Sequence, residues 1–278
     1  MKFDSSAIGT WGEPETFEVT ASRIASYAEA TNDPIEAHRE GSVAPPVFAI
    51  VPVFNSLLPA VLSVVPVELA MKVLHGEQDF LFHRPIRPGD TLTSRARPVG
   101  YAGKENGSSL AVHLETRDAA GELVNEQWVT SFFRRFDAGD TVGEQAPDHR
   151  FDEALRSQAP VAKVAAHVDD DQTFRYSPAS GDPMPIHLDE EIARMSGLPG
   201  IIAHGLCMMA FTSWAVLTEV ADGETARLRR LAVRFAKPVL PGQDLSTSIW
   251  NAGSGRYAYE TTVGDTVVIK DGLAEIEE

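Results

Sequence analysis

Two acid–base groups stand close together in the stretch Ser180-Gly-Asp-Pro-Met-Pro-Ile-His187. Asp182 and His187 are five residues apart, and the Pro-Met-Pro segment between them is too rigid and irregular for a regular helix. A loop of that kind can aim a carboxylate and an imidazole at one point, where together they hold a water molecule and exchange protons with it. The same residues could instead close a turn that hydrogen-bonds to its own backbone, with no chemistry attached. A second cue lies downstream, where His204-Gly205 opens the apolar run Ala203–Leu217. The first N–H groups of a helix lack intrahelical partners, and a glycine there lets a developing oxyanion approach closely.

Other chemistries find little support. The one cysteine, Cys207, sits in Leu206-Cys-Met-Met-Ala-Phe211, which reads as a buried, inert thiol and excludes a Cys-rich metal site. Neither a Gly-x-Ser-x-Gly elbow, a phosphate-binding loop nor a paired-histidine zinc spacing occurs, so no metal is expected. Gly253-Ser-Gly-Arg-Tyr-Ala258 has the letters of a dinucleotide fingerprint, but alternating strand patterns flank it and make it a hairpin turn. Asp169-Asp-Asp171 reads as a solvated loop.

Composition narrows the partners. With 24 basic and 40 acidic side chains the formal charge is −16, which repels nucleic acid and anionic membranes over most of the surface. No apolar run approaches the roughly 18–20 residues of a membrane span, and the start of the chain lacks a signal-type stretch, so a cytoplasmic location is expected.

The elements that must position these residues come in duplicate. Tyr27-Ala-Glu-Ala-Thr-Asn-Asp-Pro34 aligns with Tyr176-Ser-Pro-Ala-Ser-Gly-Asp-Pro183 at an offset of 149, which also places His38 on His187. Phe82-His-Arg-Pro-Ile-Arg-Pro-Gly-Asp-Thr-Leu92 aligns with Phe235-Ala-Lys-Pro-Val-Leu-Pro-Gly-Gln-Asp-Leu245 at an offset of 153. The chain therefore divides into a first repeat, 1–136, a linker, 137–159, and a second repeat, 160–278, the start of the linker being polar and running over the surface. In the second repeat a short helix is expected over Leu188–Met195, a buried helix over Ala203–Leu217, and strands over Leu228–Phe235, Leu245–Trp250, Tyr257–Val263 and Thr266–Ile269. The first repeat offers a helix over Val47–Val65, shortened or bent by prolines 52, 59 and 66, then strands around Met71–Phe82, Thr91–Val99, Ser109–Thr116 and Val124–Phe136. A buried helix followed by antiparallel strands is an α+β unit whose sheet wraps the helix.

Three separated segments carry a resemblance: Ser180–His187, Ile202-Ala-His-Gly-Leu206 and Val233-Arg-Phe-Ala-Lys-Pro-Val-Leu-Pro-Gly242. Together they resemble the MaoC-like, (R)-specific enoyl-CoA hydratase (hydratase 2) family, in its double-hotdog form. The resemblance implies two hotdog repeats, a degenerate first repeat that accommodates the acyl chain and a catalytic second one. It implies a hydratase or dehydratase of 2-enoyl and 3-hydroxyacyl thioesters of CoA or acyl carrier protein, with no cofactor besides the CoA of the substrate. It makes Asp182 and His187 the catalytic pair and the Gly205 N–H the group that polarises the thioester carbonyl. The family usually has Asn two residues after the aspartate; here the position is Met184.

His204, beside that glycine, joins the substrate-binding set. Arg84 and Arg87, and Arg234 and Lys237, precede the two Pro-Gly turns and are candidates for the CoA phosphates; ordinary strand-end charges would look the same. Asp33 and His38 repeat the catalytic spacing, but Ala44-Pro-Pro-Val-Phe48 stands where His-Gly would be expected, which marks a remnant. A hotdog thioesterase and a non-catalytic acyl-binding subunit remain the alternatives, and pairing with a second copy stays open.

Overall fold

The computed structural model describes residues 2–70, 73–104 and 106–277. Numbered along the chain, the strands are β1 (Glu15–Glu18), β2 (Val73–Phe82), β3 (Thr91–Lys104), β4 (Gly107–Arg117), β5 (Leu123–Arg134), β6 (Val142–Gly143), β7 (Ala162–His167), β8 (Leu228–Phe235), β9 (Asp244–Gly253), β10 (Arg256–Val263) and β11 (Thr266–Ile276). The α-helices are α1 (Ala21–Ala30), α2 (Glu36–Arg39), α3 (Phe54–Leu62), α4 (Val67–Ala70), α5 (Gln172–Ser180), α6 (Glu190–Met195) and α7 (Gly205–Val220).

The chain forms two compact units: Met1–Glu18, Pro52–His83 and Thr91–Asp148 in the first, and Val19–Val51, Arg84–Asp90 and His149–Glu278 in the second. These units cut across the repeats read from the sequence, because Val19–Val51 and Arg84–Asp90 pack with the C-terminal portion. Within the first unit the antiparallel strands run β1-β3-β4-β5-β2, and α3 packs on β3 and β4. Within the second they run β7-β9-β10-β11-β8, with α7 packed against β7, β8, β9 and β11. The two paths are the same path written twice, which is the structural form of the sequence repeat.

α7 owes its place to composition. Its residues Leu206 through Leu217 are all buried, so no side of the helix is left for solvent. Burying each large aliphatic or aromatic side chain there is worth about 1.5–3 kcal/mol. Cys207 is buried, and that burial pushes its thiol well above the usual range, as expected of an inert core cysteine.

Several elements differ from the sequence reading. The run Val47–Val65 is not one helix: Pro46–Val53 is a 3-10 helix and only Phe54–Leu62 is α-helical. Pro52 and Pro59 lie inside these segments, and each removes a backbone donor and crowds the preceding turn. The strand expected from Met71 is seen from Val73, Met71 and Lys72 lying outside the described residues. Helices α1 and α5 and strands β1 and β7 were not expected, although α1 buries Ile24, Tyr27 and Ala28 at helical spacing and β7 alternates in burial. The start of the connection between the repeats is mostly exposed, but the connection is anchored at two places. Val142–Gly143 pairs with β3, and Phe151 and Leu155 are buried in a cluster with Trp250 and Ala258. The hairpin reading of Gly253–Ala258 holds, with Ser254 and Gly255 at φ 53° and 70° between β9 and β10.

Candidate active site

Helix α5 ends at Gly181, whose φ of 82° turns the chain out of the helix and into the Asp182 loop. The loop is tied down at both ends. Ser177 Oγ donates to the Asp182 carbonyl (2.7 Å), and the Asp182 N–H donates to Ser180 Oγ (3.2 Å). Asp182 Oδ1 accepts the Met184 N–H at 3.0 Å, an Asx-turn that fixes the carboxylate. His187 follows in a 3-10 turn, Pro185–His187, so the segment is partly helical where an irregular loop was expected.

The His187 tautomer is set by geometry. Its Nδ1 lies 2.8 Å from the Ile202 carbonyl oxygen, which can only accept, so Nδ1 carries the proton and Nε2 of the neutral ring is bare. Asp182 and His187 make no direct bond with each other among the described residues. A carboxylate oxygen and a bare imidazole nitrogen thus remain open for a third body. Burial pushes the Asp182 carboxyl above its ordinary value, against the Met184 hydrogen bond and the nearby His187. Burial pulls His187 below its ordinary value, opposed by the Ile202 bond and by Asp182.

His204 lies against His187. The rings stack with centroids 3.8 Å apart and planes 28° apart, and His204 Nε2 is 3.4 Å from the Asp182 carbonyl. Burial, with His187 adding to it, lowers His204 to about 3, so it is neutral near pH 7. One donor atom from each of Asp182, His187 and His204 lies within 4.8 Å of the others, a grouping that could in principle hold a metal ion.

Gly205 is the first residue of α7, with His204 as its N-cap. No protein group accepts from the Gly205 N–H among the described residues. A Cβ at this position would meet the Phe235 ring at 3.3 Å, so Phe235 fills the space that the glycine leaves.

The first repeat shows the same loop closed. Asp33 Oδ1 accepts the Ile35 N–H at 2.9 Å, matching the Asp182–Met184 turn. Its Oδ2, however, binds His38 Nδ1 directly at 2.8 Å, and His38 Nε2 is taken by Thr225 Oγ1 at 2.6 Å. Both groups are buried, His38 completely, and both ring nitrogens of His38 are taken. The two copies meet through Tyr27 and Tyr176, whose hydroxyls are 3.1 Å apart. His38→Ala should therefore leave catalysis intact while stranding a buried carboxylate, at a cost of about 3–5 kcal/mol. Thermal unfolding beside an activity assay would show it, and a lost activity with unchanged stability would refute the remnant reading.

The four candidate phosphate ligands are not alike. Arg84 is held by Asp90 through two bonds, 2.8 and 3.2 Å, and donates to the Pro85 carbonyl as well. Arg87, Arg234 and Lys237 are exposed. The Pro-Gly turns that carry them are built identically. The Arg87 N–H bonds Asp90 Oδ2 at 2.9 Å, and the Leu240 N–H bonds Gln243 Oε1 at 2.8 Å. The Ile202 carbonyl and Tyr176 were not singled out for the site from sequence; a carbonyl has no sequence signature, but the tyrosine stood in the repeat alignment.

A repeated helix-and-sheet unit, with an Asp–His loop against the histidine that caps the long helix, has the architecture of a double hotdog. The MaoC-like domain matches residues 153–272, and a FAS1-like dehydratase domain region matches 6–127. The 3-hydroxyacyl-thioester dehydratase Y of Mycobacterium tuberculosis is 30% identical over 296 residues, covering 99% of each chain. The chain belongs to the MaoC-like dehydratase family. Among solved structures, a MaoC-like dehydratase from Phytophthora capsici superposes with a TM-score of 0.85 at 24% identity, over 96% of this chain and 95% of that one. A Mycobacterium tuberculosis protein described as a double hotdog fold superposes at 0.61 with 13% identity, over 95% and 94%. No helix among the described residues is long and apolar enough to cross a membrane.

Proposed function

We propose that the protein interconverts 2-enoyl and 3-hydroxyacyl thioesters by adding or removing water at Asp182 and His187. The observation that carries this reading is the open pair: an Asp182 carboxylate and a bare His187 Nε2, side by side and unbonded to each other. A water between them donates to both acceptors, which leaves an oxygen lone pair for C3. Its oxygen bonds to C3, one proton passes to the pair and a proton is returned to C2, so that water adds across the double bond. Charge building on the thioester oxygen is met by the Gly205 N–H at the start of α7, where the helix dipole also favours it.

The substrate is a CoA or carrier-protein thioester, and the exposed Arg87, Arg234 and Lys237 suit its phosphates. Nothing in the chemistry requires a cofactor beyond the CoA of the substrate, and the single buried thiol suits a reducing cytoplasm. The second repeat, 160–278, is the catalytic one and the first the acyl-accommodating one, supported by the broken helix 46–62 where the second repeat has the unbroken α7. Met184 stands in place of the family asparagine; its N–H still anchors Asp182, so the backbone part of the loop survives the change.

A panel of enoyl-CoA thioesters of graded length tests this, read as loss of the conjugated double bond. Turnover of long or branched chains above short ones is expected; release of free thiol instead would make the protein a thioesterase. The pH profile has a defined sign. Asp182 must be ionised to work and is raised by burial, so kcat/KM should fall on the acid side at a pH above the ordinary value of 3.8. An acid limb at or below that value would remove Asp182 as the group that titrates.

A further inference from the structure

The two copies of the Asp-loop pose a question that the reaction alone does not answer. Both place an aspartate and a histidine five residues apart, and both anchor the aspartate to the backbone N–H two residues on. In the first copy the histidine collapses onto its aspartate. In the second it does not: its Nδ1 donates to the Ile202 carbonyl instead. A second difference lies in what stands behind the ring. His38 has no stacked ring among the described residues, whereas His187 has His204 against its face at 3.8 Å.

We propose that His204 is a positioning residue that keeps His187 from closing onto Asp182 and so keeps the water site between them open. This rests on the reading of Asp182 and His187 as the reacting pair. His204 is well placed for the task. It is buried, Tyr176 of α5 tilts against its ring at 4.9 Å, and Tyr176 is braced by the hydroxyl of Tyr27. Its Nε2 reaches the Asp182 carbonyl at 3.4 Å, so one ring touches both the histidine and the loop that carries the aspartate. Its chain position adds a third link, since the next residue supplies the Gly205 N–H. Staying neutral matters as well: a charged His204 would repel the imidazolium that forms on His187 when it takes a proton. The groups that face His187 are Asp182 from its own loop and His204 from the start of α7, with the Ile202 carbonyl on Nδ1.

The experiment compares His204→Ala and His204→Phe with the wild type by steady-state kinetics and by NMR titration of the substrate-free proteins. The His187 signal is assigned by its loss in His187→Gln. His204→Ala should lower kcat by about 10- to 100-fold with little change in KM, because the ring it frees drops out of the reacting geometry. In the same variant His187 should titrate at higher pH than in the wild type, since direct contact with the Asp182 carboxylate favours the charged imidazole. His204→Phe keeps a flat face for stacking and should restore most of the rate and the wild-type titration. Wild-type kinetics in His204→Ala would overturn the proposal, as would a loss of rate with no shift of the His187 titration. A phenylalanine variant as impaired as the alanine one would also overturn it, by moving the effect to the Asp182 carbonyl bond. If the wild type hydrates no thioester at all, the functional reading fails, and the titration arm still decides the positioning role.

Discussion

Asp182→Asn should lower kcat by about 10²- to 10⁴-fold, with KM and the fold nearly unchanged. The amide is the same shape as the carboxylate and keeps an oxygen for the Met184 N–H, so the loop stays anchored. It loses the anion to which the proposed mechanism assigns the proton from water. The stability of this variant sharpens the test. Burial raises the Asp182 carboxyl in the folded protein above its ordinary value of 3.8. Between that value and the raised one, the folded state binds the proton more readily than the unfolded state does, so stability falls as pH rises through the window. The asparagine has no such proton to lose. At neutral pH the variant should therefore be at least as stable as the wild type, the usual signature of a charge kept for chemistry. Thermal unfolding and initial rates measured together decide the matter. An inactive and clearly destabilised protein would mean that Asp182 holds the loop rather than the reaction.

Gly205→Pro tests the second part of the mechanism, and the local backbone admits it, although its Cβ, like that of alanine, comes up against Phe235. Proline is well tolerated as the first residue of a helix, where its missing N–H costs no intrahelical bond. The residue before a proline must be extended, and His204 already is, at φ −62° and ψ 132°. The substitution thus removes the N–H proposed to meet the thioester oxygen while α7 stays in place. Removing one such donor should lower kcat by about 10²- to 10³-fold. Gly205→Ala is the control, since it keeps the N–H but brings a Cβ to 3.3 Å from the Phe235 ring. If Phe235 yields by a few tenths of an ångström, the alanine variant should lose far less than the proline one. A proline variant with wild-type kcat would show that the oxyanion is stabilised elsewhere, and equal losses in both would point to crowding by the ring.

Much of the architecture could be read before any coordinates, and for identifiable reasons. The α7 helix is apolar on every face, a pattern compatible only with full burial, and β8 to β10 follow a local alternation bounded by turn residues. The repeat was visible because Tyr27 and Tyr176, the two Asp-x4-His spacings and the two Pro-Gly turns all do local work: anchoring a loop, closing a turn, filling a core. The same locality set the limit. α5 carries Pro178 and polar residues, so its helical state depends on packing that no short window displays. Likewise, nothing in the sequence showed that Val19–Val51 would join the second unit.

At the site the division is sharper. The residue types and their two copies were legible along the chain, because spacing along a loop is a local property. Which copy is open was decided only in three dimensions. His38 is sealed by Thr225, 187 residues further along, and His187 is held open by a backbone carbonyl and by a ring at the start of a distant helix. A hydrogen bond and a stacked ring act over a few ångströms of space, irrespective of how far apart their partners lie in the chain. Identical spacings could therefore become a bonded lock in one half and an open pair in the other.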